Sequence, residues 1–309
     1  MTGVGLVSVH LARTPTPREP ISVGLVVWPP YEMPHLAQRL GRLPATTRLV
    51  DYRTPTEALR AYRDGTLDVV ALTSHYALFL AEEDPSTRLV LIVDASAGGD
   101  ALVARPELET VASLRGKRVA YEPGVFGEYM LGRVLSEAKL TPDDIQRVPL
   151  GMDRHLSAYL AGEVDALVTY EPQRTQLLEA GARVLFQSSA MNDTIYDVLI
   201  VRNEVVEARG QDLRDLVRAW CEAVEHYRAH PHESAAHVAP REQLSPEAFQ
   251  EAMAGTILFD LRENRELFAP GSRFHEALAA QGKVMRGSGL LQRPHLSLEE
   301  LLDPRFLED

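Results

Sequence analysis

One cysteine, Cys221, is all that the 309-residue chain contains. That excludes an internal disulfide and any cluster of thiolate metal ligands. Cys221 lies in DLRDLVRAWCEAVEHY on the helical face of Leu213, Val217, Trp220 and Val224, the setting of a small core residue rather than a reactive thiol. No stretch approaches the roughly 18 apolar residues of a membrane-spanning helix. Positive charge is scarce, with 32 Lys and Arg against 44 Asp and Glu, and a nucleic-acid-binding surface needs a basic face. The nucleophile elbow Gly-x-Ser-x-Gly, the phosphate loop Gly-x-x-x-x-Gly-Lys and the zinc motif His-Glu-x-x-His are all missing. His226, His230, His232 and His237 crowd one segment, but Pro231 interrupts the helix between them; we expect a solvated helix end and no metal site. The first residues, MTGVGLVSVHLARTPTPREP, hold a short apolar run with no Lys or Arg before it and no small-x-small cleavage pattern. They do not read as a secretory signal, and residues 1–20 are expected to form a linker or tail.

What is present is a repeat. ALRAYRDGTLDVVALTS, from Ala58 to Ser74, and HLSAYLAGEVDALVTYEP, from His155 to Pro172, share one design: a short helix, a Gly turn, a buried strand and a polar stop. A shift of 97 positions superimposes Leu59 on Leu156, Ala61 on Ala158, Tyr62 on Tyr159, Gly65 on Gly162 and Asp68 on Asp165. In open α/β sheets ligands lie beyond the carboxyl ends of the strands. Two such ends on two similar lobes point to one small molecule held between them.

Strands and helices alternate through the first two thirds of the chain. The continuous β-branched run Ile21–Val27 reads as a buried strand, and Thr47–Tyr52, Leu67–Leu72, Leu89–Val93, Gln146–Pro149, Ala182–Phe186 and Asp197–Val201 read as further strands. Thr54-Pro55-Thr56-Glu57 is a capping box opening a helix. The adjacent Gly98 and Gly99 suit a hinge or a close approach of backbone to ligand. From Val205 onward the pattern is almost wholly helical, including a solvated face at Arg262–Glu266. The expected architecture is α/β and two-lobed, each lobe a mostly parallel sheet flanked by helices. Lobe 1 would comprise residues 21–101 and 196–309, with the C-terminal helices packed on it, and lobe 2 residues 102–195.

The phrases TEALRAYRDGTLDVVAL, GGDALVARPE, SLRGKRVAYEPG, LSEAKLTPDDIQRVPL, YLAGEVDALVTYEP and YRAHPHESAAHVA follow one another from about Trp28 to Val238. In them the chain resembles the solute-binding proteins of ABC importers of the nitrate/taurine (sulfonate) type, which share the type II periplasmic-binding-protein fold with binders of thiamine-pyrimidine precursors. The resemblance implies a cleft between the lobes and a hinge near Ser96–Ala101 and Tyr196–Val198. It also implies partners, a membrane permease and an ATPase, and an extracytoplasmic location whose signal would lie outside this sequence; a native start at Met1 would instead mean the cytoplasm. It assigns to the ligand Trp28 and Tyr31 after the first strand, Thr54 at the helix start, Thr73 and Ser74 after the third strand, and Ser96, Gly99 and Asp100 at the crossover. In the second lobe it assigns Gly124, Val125 and Phe126, then Tyr170 and Glu171, then Asp193. Glu122 lies beside these loops. At the second-lobe helix entrance the chain carries Gly-Val-Phe-Gly where the resembled binders offer small hydroxyl residues.

Those loops contribute Asp100, Glu122, Glu171 and Asp193 but no Arg or Lys. Carboxylates in a closed cleft repel an anion and favour a ligand with N–H donors or positive charge, and Trp28, Tyr31, Phe126 and Tyr170 offer faces for stacking or cation–π contact. The expectation is therefore a binding protein without cofactor, not an enzyme, closing over a small amine-bearing or heteroaromatic, pyrimidine-like molecule. The alternatives are a sulfonate or oxyanion ligand, and a cytoplasmic enzyme of this fold resembling the chorismate dehydratases or a pyrimidine-synthesis enzyme.

Overall fold

Asp68 and Asp165 show how the repeat builds two lobes. Asp68 accepts hydrogen bonds from the backbone N–H of Ser22 (2.7 Å) and from its hydroxyl (2.8 Å). Asp165, 97 positions on, accepts from the backbone N–H of Arg118 (2.8 Å). Each carboxylate thus clips the start of a neighbouring strand. Gly65 and Gly162 both adopt φ +74°, the left-handed turn that ends each repeat helix. Over Tyr62 lies the guanidinium of Arg202, and over Tyr159 that of Arg105, each 4.8 Å from the ring centre. Arg202 donates to the carbonyls of Tyr62 and Leu67, and Arg105 to those of Tyr159 and Val164. No spacing in the sequence announces these two arginines, because they come from non-equivalent places in the chain.

This computed structural model describes residues 18–191, 194–293 and 297–308; most of the 1–20 tail expected from the sequence lies outside them. The strands are β1 (Ile21–Val26), β2 (Thr47–Tyr52), β3 (Val69–Thr73), β4 (Thr87–Ser96), β5 (Ala101–Ala104), β6 (Arg118–Tyr121), β7 (Gln146–Pro149), β8 (Ala166–Thr169), β9 (Arg183–Gln187), β10 (Tyr196–Arg202) and β11 (Thr256–Leu258). They form one sheet in the order β11-β4-β10-β3-β1-β2 and another in the order β7-β6-β8-β5-β9. The expected two-lobed α/β architecture is the observed one, but the sheets are mixed rather than mostly parallel. β1 pairs parallel with β2 and β3, whereas β10 runs antiparallel to β3 and β4; β5 is likewise antiparallel to β8 and β9. The physical reason is the crossover: β5 and β10 each enter their sheet from the inter-lobe side and so run against the strands they join. Ala101, grouped with lobe 1 in the sequence reading, already begins β5 of the second sheet.

The C-terminal third is not wholly helical. β11 pairs with β4, Ile257 opposite Ala95, a three-residue edge too short for periodicity to reveal. The helix Asn203–Ala229 packs on the first sheet and buries Leu213, Val217, Trp220 and Val224, with Cys221 among them. In the Arg262–Glu266 segment the two end residues form an exposed pair (2.8 Å). Between them Asn264 turns inward, fully buried, to bond both the N–H and the carbonyl of Ile92. Ile21, Val23 and Leu25 of β1 are at most 1% exposed, each burial contributing about 2 kcal/mol.

At the crossover Ser96 and Ser188 share a hydroxyl hydrogen bond of 2.7 Å, and the N–H of Gly98 donates to Ser188 (2.8 Å). Gly98 sits at φ +126°, open to glycine and costly for other residues. The lobes also meet through Thr56, whose hydroxyl donates to the Pro123 carbonyl (3.2 Å), and through His75. That ring is buried, 5.4 Å from Phe126 and 3.9 Å from Tyr129. Burial pushes its pKa down to about 3, so it stays neutral.

Candidate functional site

The polar ends of β1, β3, β4 and β10 converge where the lobes meet. After β1 the backbone cannot continue as strand, because Pro29 and Pro30 open a single helical turn, Pro29–Glu32. That turn throws Trp28 and Tyr31 inward, 4% and 2% exposed. Trp28 Nε1 donates to Asp94 (3.1 Å), and the Tyr31 hydroxyl donates to Asp197. Asp94 and Asp197 are direct cross-strand partners in the β4–β10 ladder, which sets two carboxyl groups side by side. Like charges so close and so buried do not both ionise. Burial, and then the charge of Asp197, hold the proton affinity of Asp94 well above the usual carboxylate range; burial pushes Asp197 up to about 7, against the lowering by its hydrogen bonds with Tyr31 and Asp94. Asp100 completes a triad of acids. No cationic side chain pairs with it among the described residues, and burial pushes its pKa up to about 8, against the lowering by its hydrogen bond with Ser96.

Around these acids Trp28, Tyr31, Tyr76, Phe126 and Tyr170 enclose a cavity of about 30 Å³, with Val26, Pro55, Leu72 and Thr73 completing the wall. That space holds a water or two and nothing larger, so any organic ligand requires the walls to move apart. Trp28 and Tyr170 meet edge to face, ring centres 6.1 Å apart. The hydroxyl of Thr73 is buried without a partner among the described residues. Unsatisfied groups of this kind each cost about 1–3 kcal/mol, and a bound molecule with matching groups recovers that free energy.

Of the expected residues, Trp28, Tyr31, Thr73, Asp100, Phe126 and Tyr170 line this cavity together. Others do not. The Thr54 hydroxyl caps the helix Pro55–Arg63 by accepting from Glu57 N–H (3.2 Å), and Pro55 takes its place at the wall. Ser74 points away, donating to Gln281 (2.8 Å). Ser96 belongs to the crossover latch described above. Gly99 lies under the indole, where an added Cβ would stand 2.7 Å from a ring carbon of Trp28. Glu122 stands behind Tyr170 and accepts its hydroxyl (2.7 Å), with a pKa raised by burial to about 7. Gly124 and Val125 open the helix Val125–Glu137 beside Phe126, with Gly124 at φ +137° close to the Tyr76 hydroxyl. Asp193 lies outside the described residues.

Glu171 corrects the sequence reading most sharply. It is fully buried, with one oxygen accepting from Arg174 (2.9 Å) and the other from the backbone N–H of Thr175 (3.0 Å). Its carboxylate faces into lobe 2, because the helix Gln173–Glu179 needs its first turn satisfied. Glu171→Gln should therefore lower stability by about 2 kcal/mol, read as a reduced urea midpoint. An unchanged midpoint with lost ligand binding would return the residue to the site.

Asp94, Asp197 and Tyr76 are the site residues that sequence reasoning missed. The two aspartates did leave a signal: each is a charged residue at the cleft end of an apolar run, LVLIVD and DVLIV. Tyr76 left none, since it reads as one more apolar residue of HYALFLAEE.

Two lobes, a double crossover and a closed acidic cavity between strand ends define a two-lobed binding-protein fold of the type II periplasmic class. The NMT1/THI5 like family model matches residues 48–234, more than half of the chain, and the chain belongs to that family. A putative aliphatic sulfonates-binding protein of Escherichia coli K12 is 32% identical over 117 residues, covering 38% of this chain and 36% of that protein. The match therefore spans little more than a third of that relative's length. Among solved structures, the alkanesulfonate-binding protein SsuA of Xanthomonas axonopodis pv. citri, bound to MOPS, superimposes with a TM-score of 0.75 at 20% identity, covering 92% of this chain and 99% of that one. The desulfurization enzyme DSZB has a TM-score of 0.66 at 20% identity, covering 94% and 98%. At such identities the likeness concerns the fold.

Proposed function

We propose that the chain is the solute-binding component of an ABC importer, working outside the cytoplasm with a permease and an ATPase, and that its ligand is a small organic amine. The observation that carries this reading is the acid triad, with Asp100 and Asp197 in the cavity wall and Asp94 behind Trp28, sunk beneath aromatic rings with no cationic side chain among the described residues of the wall. An ammonium group would supply the missing charge and face the rings of Trp28, Tyr31 and Tyr170, a cation–π contribution of about 1–2 kcal/mol when desolvated. Ligand would select the closed form because only that form joins Asp100 and Tyr31 to Phe126 and Tyr170. The heteroaromatic, pyrimidine-like ligand expected from the sequence finds no support in the relatives' names. An aliphatic sulfonate is the second reading, favoured by the names of the relatives. For it, the raised proton affinity of the triad matters, since protonated acids donate hydrogen bonds to an anion.

The two readings differ in the sign of their pH dependence. A cation displaces protons from Asp100 and from the Asp94–Asp197 pair, so amine affinity should rise several-fold per pH unit from pH 6 to 8. A sulfonate needs those protons, and its affinity should fall over the same range. Titration calorimetry with n-alkylamines and with ethanesulfonate at pH 6, 7 and 8 measures both. Binding of ethanesulfonate that weakens with pH, with no amine binding, would decide for the anion.

A further inference from the structure

His75 is a buried base to which the ligand cavity gives no task. It is the second residue of the helix Ser74–Glu83, and it lies where lobe 1 meets the helix Val125–Glu137 of lobe 2, beneath the rings of Phe126 and Tyr129. Neither of its ring nitrogens has a partner among the described residues. A leucine or phenylalanine would fill the same space without two bare nitrogens; what an imidazole adds is a place for a proton. Three conditions keep the ring neutral while the lobes touch. Burial opposes the charged form, no acceptor among the described residues meets a ring N–H, and the first turn of a helix disfavours a cation. The titratable neighbours do not relieve this. Tyr129 faces the ring from the lobe 2 helix, whose Glu128 is bonded to the Tyr121 hydroxyl (2.9 Å) and whose Arg133 pairs with Glu137 (3.7 Å). Tyr76 adjoins it, Asp94 and Asp197 stand on β4 and β10, and β3 brings no charge. The helix Arg273–Gly287 packs there with the neutral amide of Gln281, bonded to Ser74 (2.8 Å), and its Lys283 is exposed.

We propose that His75 couples lobe closure to the release of a proton: the lobes meet over a neutral ring, and a protonated ring holds them apart. The proposal rests on closure of the two lobes in the binding role above, and not on the charge of the ligand. Freed into water, the ring regains a pKa of about 6, a histidine's ordinary value lowered slightly by the helix end. The closed form binds this proton less well than the open form does. Opening therefore takes up a proton and becomes more favourable as pH falls below about 6. The buried acids Asp94, Asp100, Asp197 and Glu122 act with the opposite sign, since burial in the closed cleft raises their proton affinity. A comparison at equal pH between the native chain and a His75 variant cancels them.

Amide hydrogen exchange reads the opening. The N–H of Phe126, in the first turn of its helix, has no intrahelical partner and donates to the Tyr76 hydroxyl of lobe 1, so its protection measures closure. The experiment uses the ligand-free chain labelled with ¹⁵N-phenylalanine. The exchange rate of Phe126 in the native chain, divided by that in His75→Phe, should rise about tenfold from pH 7 to pH 5; intrinsic exchange cancels in the ratio. His75→Leu should give the same rise, and takes the place of the first variant if the larger ring prevents folding. A ratio that stays level or falls would overturn the coupling, as would a Phe126 amide without protection in the native chain at pH 7. Both results leave the ligand reading standing, because no ligand enters the measurement.

Discussion

Asp100→Asn should make the unliganded protein more stable at pH 8 than the native chain, while leaving the two nearly equal at pH 5. The sign follows from linkage. The folded-state pKa of Asp100 is raised to about 8, against about 3.9 in an unfolded chain. Between those values the folded state binds more protons than the unfolded state, so stability falls as pH rises through the window from about 4 to 8. Asparagine keeps the shape and cannot ionise, so the variant loses that slope. A shift of this size corresponds to at most about 5 kcal/mol, and relaxation and water entry reduce it; about 2–3 kcal/mol at pH 8 is the expected gain. The same substitution removes a charge partner of the proposed ammonium and should weaken amine binding about 100-fold. Urea denaturation at pH 5 and pH 8, beside calorimetry with an alkylamine, checks both halves. Parallel stability profiles for the two proteins would show that Asp100 ionises freely and would remove it from the buried triad.

The second large effect is expected at Gly127. A Cβ on this residue would stand 1.7 Å from the carbonyl oxygen of Glu122, and backbone cannot step aside as a flexible side chain does. Gly127 lies in the first turn of the helix Val125–Glu137, which carries Phe126 to the cavity and Tyr129 against His75. Gly127→Ala must displace that turn from the end of β6, costing roughly 3 kcal/mol or more. The loss should appear as a lower urea midpoint together with loss of ligand binding, because Phe126 and the Gly124 turn move with the helix. Gly132, on the same helix, has open space around its Cβ position. Gly132→Ala should instead be neutral or stabilising by up to about 1 kcal/mol, since alanine is the better helix former. Equal behaviour of the two variants would mean that the helix entrance is not wedged against Glu122.

The relation of the two lobes was legible before any coordinates, because it rests on local rules. A helix ending in a left-handed Gly, followed by an Asp and an apolar run, is specified within about a dozen residues, and the copies at Gly65–Asp68 and Gly162–Asp165 carry it in full. The capping residue Thr54 was equally readable, since a cap is satisfied by a residue three positions away. So was the convergence of Trp28, Tyr31, Thr73, Asp100, Phe126 and Tyr170, which follow strand ends and therefore share one side of the sheets.

Tertiary structure alone decided which way each polar side chain turns. Tyr170 and Glu171 are adjacent, but the ring faces the cavity while the carboxylate caps a helix inside lobe 2. Which of two neighbours enters a cleft depends on the backbone path through Pro172, not on residue type. The Asp94–Asp197 pair joins residues more than a hundred positions apart, through an antiparallel register set only when β10 crosses back between β3 and β4. Arg202 and Arg105 found their tyrosines in the same way. Local sequence determined the elements, the repeat and the cleft's address; the long-range register of two crossover strands determined the charges inside it.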